Sequence, residues 1–187
     1  MYKVVTVLII IMFASCKQEN TVERNNSTNV ADTLSVTSKP ESNSIATDSI
    51  AFIREKVAFA NTAQLKQKHF EFKCDEIMKV DYFYDKDEIV KIAVDFGTIG
   101  DVYAKEMYYY HKNQLIFMYE FVEGGPACEG CIKTNEYRSY ISNDKVFKYL
   151  KDAKEDTCRK CEFETSSKPY KLLSAKNQNE VKAAICR

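Results

Sequence analysis

Three segments in the middle of this 187-residue chain share a pattern of strand, short polar turn and strand, and this repeat restricts the possible folds most strongly. The segments are YFYDKDEIVKI (82–92), YYYHKNQLIFM (108–118) and SYISNDKVFKY (139–149). When Ile89, Leu115 and Val146 are aligned, each copy has a Tyr or Ile five positions earlier and an Asp or Asn two positions earlier. Asp and Asn tolerate left-handed backbone in turns, and Tyr, Phe, Ile and Val favour strands. The repeat therefore predicts three similar β-hairpins.

The hairpins predict an α+β, mainly β fold, with an antiparallel meander of about six strands. An amphipathic helix is expected over residues 50–68, with Asp48 or Ser49 as its N-cap. We expect this helix to pack on one face of the sheet, because an antiparallel sheet needs only one buried face. A short C-terminal helix around residues 177–186 is expected to close an edge of the sheet. The apolar stripe of the first helix consists of Ile50, Ile53, Val57 and Ala60.

Side-chain alternation along the strands predicts which residues share a face. Successive side chains of a strand point to opposite faces, so every second residue lies on the same side. The second strand of the first hairpin has one such set, Val90, Ile92, Val94 and Phe96. The second strand of the second hairpin has another set, Leu115, Phe117, Tyr119 and Phe121. We expect each set to lie on a single face.

The N-terminus has the layout of an export signal. Lys3 supplies a positive charge, and residues 4–13 form an apolar run too short to span a bilayer. Small residues, Ala14 and Ser15, follow the run and precede Cys16. This stretch resembles the signal of bacterial lipoproteins, in which a peptidase cuts just before a cysteine that receives lipid.

The resemblance implies that residues 1–15 are a signal peptide and that Cys16 becomes the acylated mature N-terminus, carrying chains such as palmitate. Two or more acyl chains anchor a protein stably to a membrane. In this family, an Asp directly after the lipidated cysteine implies retention at the inner membrane. Residue 17 is Lys, so the resemblance implies the outer membrane, with the domain facing the periplasm or the cell surface. Residues 16–48 are rich in Ser, Thr, Asn and Asp, which predicts a disordered tether. Residues 49–187 are expected to form one domain.

Six cysteines lie beyond Cys16, and an even number in an exported domain indicates disulfides. They are Cys74, Cys128, Cys131, Cys158, Cys161 and Cys186. Their sequence positions leave the connectivity open. When the third hairpin is extended with two bulged residues, Cys131 comes opposite Cys158 and Cys128 opposite Cys161, so we expect the two CxxC motifs to meet there. A bond from Cys74 to Cys186 would then tie the C-terminal segment to the first strand region.

Two other uses of the CxxC motifs stay open. Cys128, Cys131, Cys158 and Cys161 have the spacing of a four-cysteine zinc site, although an oxidising compartment favours disulfides. Either motif could instead exchange thiols and disulfides with another protein. A reactive CxxC usually begins a helix, whose dipole lowers the thiol pKa, and no helix is expected after either motif.

Composition and motifs favour a binding function over catalysis. The 27 Lys and Arg residues balance 27 Asp and Glu residues, which gives no electrostatic footprint for nucleic acid. Phosphate-binding, dinucleotide-binding and hydrolase motifs are absent, and His69 and His111 have no nucleophile placed beside them in sequence. We therefore expect a non-catalytic domain without a cofactor that binds an unidentified protein, peptide or glycan. The 12 Tyr and 11 Phe residues could supply an aromatic binding face.

Overall fold

A computed structural model describes residues 42–126 and 128–186, with side chains from residue 48 onward. The predicted signal peptide, the lipidated Cys16 and most of the predicted tether lie outside these residues. No helix in the described part of the chain combines the length and the apolar character that a bilayer span requires. The elements are α1 (Ser42–Thr62), β1 (Lys66–Lys73), β2 (Ile77–Asp85), β3 (Glu88–Ile99), β4 (Val102–His111), β5 (Gln114–Gly124), β6 (Lys133–Ser142), β7 (Lys145–Lys151), β8 (Lys154–Glu155), α2 (Lys168–Ser174) and α3 (Gln178–Ile185).

The strands form one antiparallel meander in which each strand pairs with the next in sequence. This confirms the mainly β, α+β fold, with eight described strands rather than about six. One additional strand, β1, lies where the first helix was expected to continue. Phe72 is buried and Phe70 half-buried, two residues apart, and this period-2 pattern suits a strand paired with β2. The second additional strand, β8, is a short partner of β7.

Helix α1 begins at Ser42 rather than at Asp48 or Ser49, so it extends into the segment expected to be a tether. Pro40 is the first strong helix breaker upstream, and no Gly or Pro lies between it and Thr62. The short C-terminal helix is present as α3. The side chain of Asn177 caps it by accepting a hydrogen bond from the backbone nitrogen of Glu180 at 3.1 Å.

The three predicted hairpins are β2–β3, β4–β5 and β6–β7, and each contains a two-residue turn followed by a bulge. The residues five positions apart in the repeat are cross-strand partners: Tyr84 with Ile89, Tyr110 with Leu115, and Ile141 with Val146. Directly beyond each of these pairs the register shifts by one residue. The extra residues in the second strands are Val90, Ile116 and Phe147.

The bulges correct the expected distribution of side chains between faces. Ile92 and Val94 pack on one face, whereas Val90 packs on the other. Leu115 likewise packs with Ile92, whereas Phe117 lies on the opposite face. An unbroken strand would keep residues two apart on the same side, but one inserted residue reverses the alternation beyond it.

Both faces of the sheet are covered by helix, although one covered face was expected. Helix α1 packs through Ile53 and Ala60 on a cluster that includes Tyr109, Phe117 and Tyr140, and we call this side the α1 face. Helices α2 and α3 pack on the other side, which we call the C-terminal face. Its buried members are Phe72, Met78, Val80, Tyr82, Ile92, Val94, Tyr108, Tyr110, Leu115, Ile141, Phe163, Leu172 and Val181. The C-terminal helix lies on this face beside the edge strand β1, where Gln178 Nε2 donates to the carbonyl oxygen of Glu71 at 3.5 Å.

Two buried tyrosines attach α2 to the C-terminal face. The hydroxyl of Tyr82 donates to the carbonyl oxygen of Leu172 at 2.9 Å, and that of Tyr110 donates to the carbonyl oxygen of Pro169 at 2.8 Å. Burial raises the pKa of both phenols. They stay protonated donors, so these hydrogen bonds orient the helix as well as satisfying buried polar groups.

The six cysteines form three disulfides. They join Cys74 to Cys186, Cys128 to Cys131 and Cys158 to Cys161, with Cα–Cα separations of 5.6, 5.3 and 5.5 Å. The first bond ties the end of α3 to the β1–β2 connection, as the sequence suggested.

The two CxxC motifs do not meet at the open end of the third hairpin as expected: each motif closes on itself, and Cys161 lies near the hairpin turn, where its carbonyl oxygen accepts from the backbone nitrogen of Val146 at 2.8 Å. The hairpin register matches the expectation near the turn, where Ile141 pairs with Val146. Strand β7, however, ends at Lys151 in a second tight turn at Asp152 and Ala153, both with positive φ. The chain then runs back along β7 as β8, so Cys158 does not continue alongside β6.

The three disulfides should differ in their contribution to stability. The Cys74–Cys186 bond spans 112 residues, whereas each CxxC bond spans 3. Loop-closure entropy grows with loop length, so Cys74→Ser with Cys186→Ser should lower the free energy of unfolding by about 5 kcal/mol, and Cys128→Ser with Cys131→Ser by about 2 kcal/mol. Urea unfolding followed by circular dichroism measures both losses. Equal losses would contradict this assignment.

Candidate functional site

A cavity of about 600 Å³ lies between α1 and the α1 face of the sheet. This volume is in the range of pockets that take up small molecules. We call it the α1 cavity, and its lining residues are Ile53, Arg54, Val57, Ala58, Asn61, Lys91, Met107, Tyr109, Phe117, Tyr119, Arg138 and Tyr140. Arg54, Ala58 and Asn61 are exposed, so the cavity opens to solvent beside the helix.

The floor of the α1 cavity consists of two cross-strand rows. In the first row, Lys91 pairs with Tyr109, Tyr109 with Phe117, and Phe117 with Tyr140. The second row, Met107, Tyr119 and Arg138, lies two residues along the same strands. The bulge at Ile116 brings Phe117 and Tyr119 to this face while Leu115 remains on the other. Residues of α1 spaced by helical turns supply the roof.

Aromatic rings make up the apolar part of the floor. The ring centroids of Tyr109 and Phe117 are 5.6 Å apart, and those of Phe117 and Tyr140 are 5.0 Å apart, both in edge-to-face contact. All three residues are buried. Interlocked rings of this kind form a rigid surface that can accept an apolar group without first losing much side-chain entropy.

A hydrogen-bonded group of polar side chains lies at the end of the cavity near the C-terminus of α1. The side-chain oxygen of Asn61 accepts from Lys91 Nζ at 2.9 Å and from the Tyr109 hydroxyl at 3.0 Å. The Lys91 ammonium also lies 5.7 Å from the ring centroid of Tyr109 and 4.9 Å from that of Phe83. Burial lowers the pKa of Lys91, and the Asp81 charge opposes this shift. Lys91 is thus a partly desolvated cation.

The lining of the α1 cavity is rich in donors and in positive charge. It contains three cations, Arg54, Lys91 and Arg138, and these described lining residues include no Asp or Glu. The lining also includes no Ser, Cys or His, so these residues do not form a nucleophile–base pair. This arrangement suits reversible binding of a ligand.

A smaller pocket, of about 180 Å³, lies on the C-terminal face where the CRKC loop contacts the sheet. Arg159, between the two cysteines of that motif, donates to Glu120 at 2.9 Å and to the Tyr149 hydroxyl at 3.1 Å. Its guanidinium lies 3.9 Å from the ring centroid of Tyr137. These contacts attach the loop to the sheet.

Two carboxylates face each other in this smaller pocket, and each contacts a cation. Glu106 on β4 is the cross-strand partner of Glu120 on β5. Lys168 Nζ contacts both Glu106 oxygens, at 3.0 and 2.8 Å, and the Tyr108 hydroxyl donates to the same carboxylate. Burial raises the pKa of Glu120, opposed by Arg159 and increased by Glu106. Because each carboxylate has a cationic partner, we interpret the cluster as a packing contact between segments.

The structure does not bring the CxxC cysteines together into one site. Cys128 and Cys131 lie in the β5–β6 connection, and Cys158 and Cys161 follow β8. No helix begins at either motif in the described residues, so the helix dipole that usually activates a CxxC thiol is missing there. Across residues 42–126 and 128–186, no cluster of three or more His, Cys, Asp or Glu side chains is placed to hold a metal. In their disulfide form the four sulfurs would not be zinc ligands.

Sequence reasoning noted the tyrosines but not the α1 cavity. The repeat contained a usable signal, because the residue just before Tyr84, Tyr110 or Ile141 is aromatic in every copy. These residues are Phe83, Tyr109 and Tyr140. Their common face could not be assigned without knowing where the bulges lie and where α1 packs.

Comparisons with known proteins found no relative. No family model matches the chain, and neither curated proteins nor solved structures contain a match.

Because the pKa of Glu120 is raised, we expect the effect of replacing this residue on stability to depend on pH. Folding disfavours the charged form of the Glu120 carboxyl. The carboxyl therefore contributes to stability below its ordinary pKa of 4.5, and this contribution is lost as the pH rises through the pKa that Glu120 has in the folded protein. Glu120→Gln lacks that loss. We expect the free energy of unfolding of the variant, relative to the parent, to rise from about pH 4 to about pH 7.

Urea titrations at several pH values measure this difference. Glu123→Gln, which changes an exposed residue of the same strand, is the control. A relative stability of Glu120→Gln that does not change with pH would contradict the prediction.

Proposed function

We propose that the chain is an exported bacterial lipoprotein, anchored to a membrane by acyl chains on Cys16, whose folded domain is a binding module and not an enzyme. The resemblance of the N-terminus to a lipoprotein signal supports export. The pairing of six cysteines at disulfide distance is typical of proteins that mature in an oxidising compartment. Lys17 favours the outer membrane as the destination, with the domain on its periplasmic or outer side.

The proposed binding function is supported chiefly by the α1 cavity. Its aromatic floor, open side and donor-rich rim have the composition of pockets that recognise ligands. The partner would be a protein, peptide or glycan that inserts a group into the cavity, or a free small molecule of the same chemistry. The larger apolar core lies on the C-terminal face, so a ligand could enter beside α1 without disturbing it.

A thiol–disulfide redox function is the second candidate, favoured by the closure of both CxxC motifs within themselves. The oxidised form of a CxxC oxidoreductase has this pairing, and Cys161 is exposed to a possible partner. Insulin reduction by the purified domain, lost in Cys158→Ala, would favour this candidate over binding alone.

Anchoring by lipid predicts the behaviour of a Cys16→Ala variant in its bacterial host. Without the acceptor thiol no acyl chain can be attached, so the variant should leave the membrane fraction and lack the mass of the lipid. Fractionation and intact-mass spectrometry measure both effects, with Ser15→Ala, which retains the cysteine, as the control. Unchanged membrane retention of Cys16→Ala would refute the anchor.

Binding in the α1 cavity predicts uptake of an uncharged fluorescent probe, N-phenyl-1-naphthylamine, at one site per chain. Ala58 lines the cavity from α1 and is exposed, so Ala58→Trp should occupy part of the space and weaken probe binding about tenfold. Glu55→Trp adds the same ring at an exposed position of α1 that does not line the cavity, and should bind as the parent does. Equal affinity of the two variants would exclude the cavity as the binding site.

A further inference from the structure

The charges around the α1 cavity are not balanced within the described chain. Arg54, Lys91 and Arg138 line it, and no carboxylate among the described residues does. Arg138 has a partner, because it donates to Glu136 on the same strand. Among the residues that the structure describes, Arg54 and Lys91 have no ion-pair partner. Two lining cations therefore make no direct ion pair in this part of the chain.

Lys91 is the better placed of the two cations to bind an anion inside the cavity. It is half-buried, and its only hydrogen bond in the described structure goes to the neutral side chain of Asn61. The Asp81 carboxylate acts on Lys91 electrostatically, but it accepts a hydrogen bond from Gln67 at 2.9 Å and lies 2.6 Å from His69 Nδ1. An ammonium has three donors. Lys91 thus has donors to spare in a partly desolvated site, where charge-assisted hydrogen bonds are strong.

Asn61 adds a second donor at the same end of the cavity. Its side-chain oxygen is occupied by Lys91 and Tyr109, so its amide nitrogen is available to a ligand. Arg54 lies seven residues earlier on α1, or about 10 Å along the helix axis. It is exposed at the open side, where its charge would attract an anion toward the cavity.

The rest of the cavity suits an apolar body. Tyr109, Phe117 and Tyr140 form a continuous aromatic floor beside Lys91, and Ile53 and Val57 contribute aliphatic surface from the helix. The volume of about 600 Å³ suits a molecule of one or two rings or a short acyl chain better than an extended peptide.

We propose that the α1 cavity binds a small amphipathic organic anion, with its acid group at Lys91 and Asn61 and its aromatic or acyl body on the floor formed by Tyr109, Phe117 and Tyr140. This inference names the ligand class of the binding site proposed above and rests on that function.

Two fluorescent probes with one skeleton test the acid group separately from the body. 8-Anilino-1-naphthalenesulfonate is anionic, and N-phenyl-1-naphthylamine lacks the sulfonate and is uncharged. We expect the parent protein to bind the anionic probe about tenfold more tightly, as one charge-assisted hydrogen bond would give. Lys91→Met keeps a long apolar side chain and should abolish this preference, because it should weaken binding of the anionic probe about tenfold more than binding of the neutral probe. Lys133→Met, at an exposed lysine outside the cavity, should behave as the parent does.

The outcomes separate this inference from the proposed function. If both probes bind equally and Lys91→Met changes neither, the anion inference fails and the binding site stands. If neither probe binds, both fail. Thermal melts check that Lys91→Met is folded, because partly unfolded proteins also bind the anionic probe. Should that variant not fold, Arg54→Gln on the exposed side of α1 replaces it, with an expected loss of affinity of about threefold for the anionic probe only.

Displacement of the anionic probe tests the natural ligand class. 4-Phenylbutyrate should displace it, and 4-phenyl-1-butanol, which lacks the acid, should do so at least about tenfold less well. Displacement by a glutamate-rich peptide and not by 4-phenylbutyrate would overturn the assignment to a small molecule.

Discussion

Each of the three long hairpins contains one extra residue in its second strand, directly beyond the turn, and the distribution of side chains over both faces of the sheet depends on it. The extra residue reverses the alternation, so Leu115 joins the core on the C-terminal face while Phe117, two residues later, lies on the α1 face. Each hairpin thus supplies apolar residues to both layers. The aromatic floor of the α1 cavity is a consequence of this repeated geometry.

The two faces differ in how firmly their helices are attached, and this difference leaves room for a cavity. On the C-terminal face, buried Tyr82 and Tyr110 bond to the backbone of α2, and the Cys74–Cys186 bond ties α3 to the first strands. On the α1 face the buried helix residues are Ile53 and Ala60. Val57, which lines the cavity from α1, is only half-buried, so helix and sheet are packed less closely there. The domain therefore combines a braced layer with a more open one.

One disulfide stabilises the global fold, and the other two stabilise local loops. The long-range bond restricts most of the chain, whereas each CxxC bond closes a short ring in a connection. The CRKC ring presents Arg159 to Glu120, Tyr149 and Tyr137, so its local shape contributes a contact on the C-terminal face. This contact lies on the side of the sheet opposite the α1 cavity, so the loop attachment and the cavity are in separate layers.

The sequence by itself determined the centres of the hairpins, including the pair formed by Tyr110 and Leu115, and the presence of a short C-terminal helix, because turn chemistry and helical periodicity act between neighbouring residues. Its cysteine count indicated disulfides but not their partners. Only the tertiary structure decided which face each side chain occupies, where α1 gives way to β1, which cysteines pair, and that Lys91 meets Asn61 across the α1 cavity. Those features depend on bulges, on the turn that ends β7 and on contacts between distant segments, none of which a local pattern specifies.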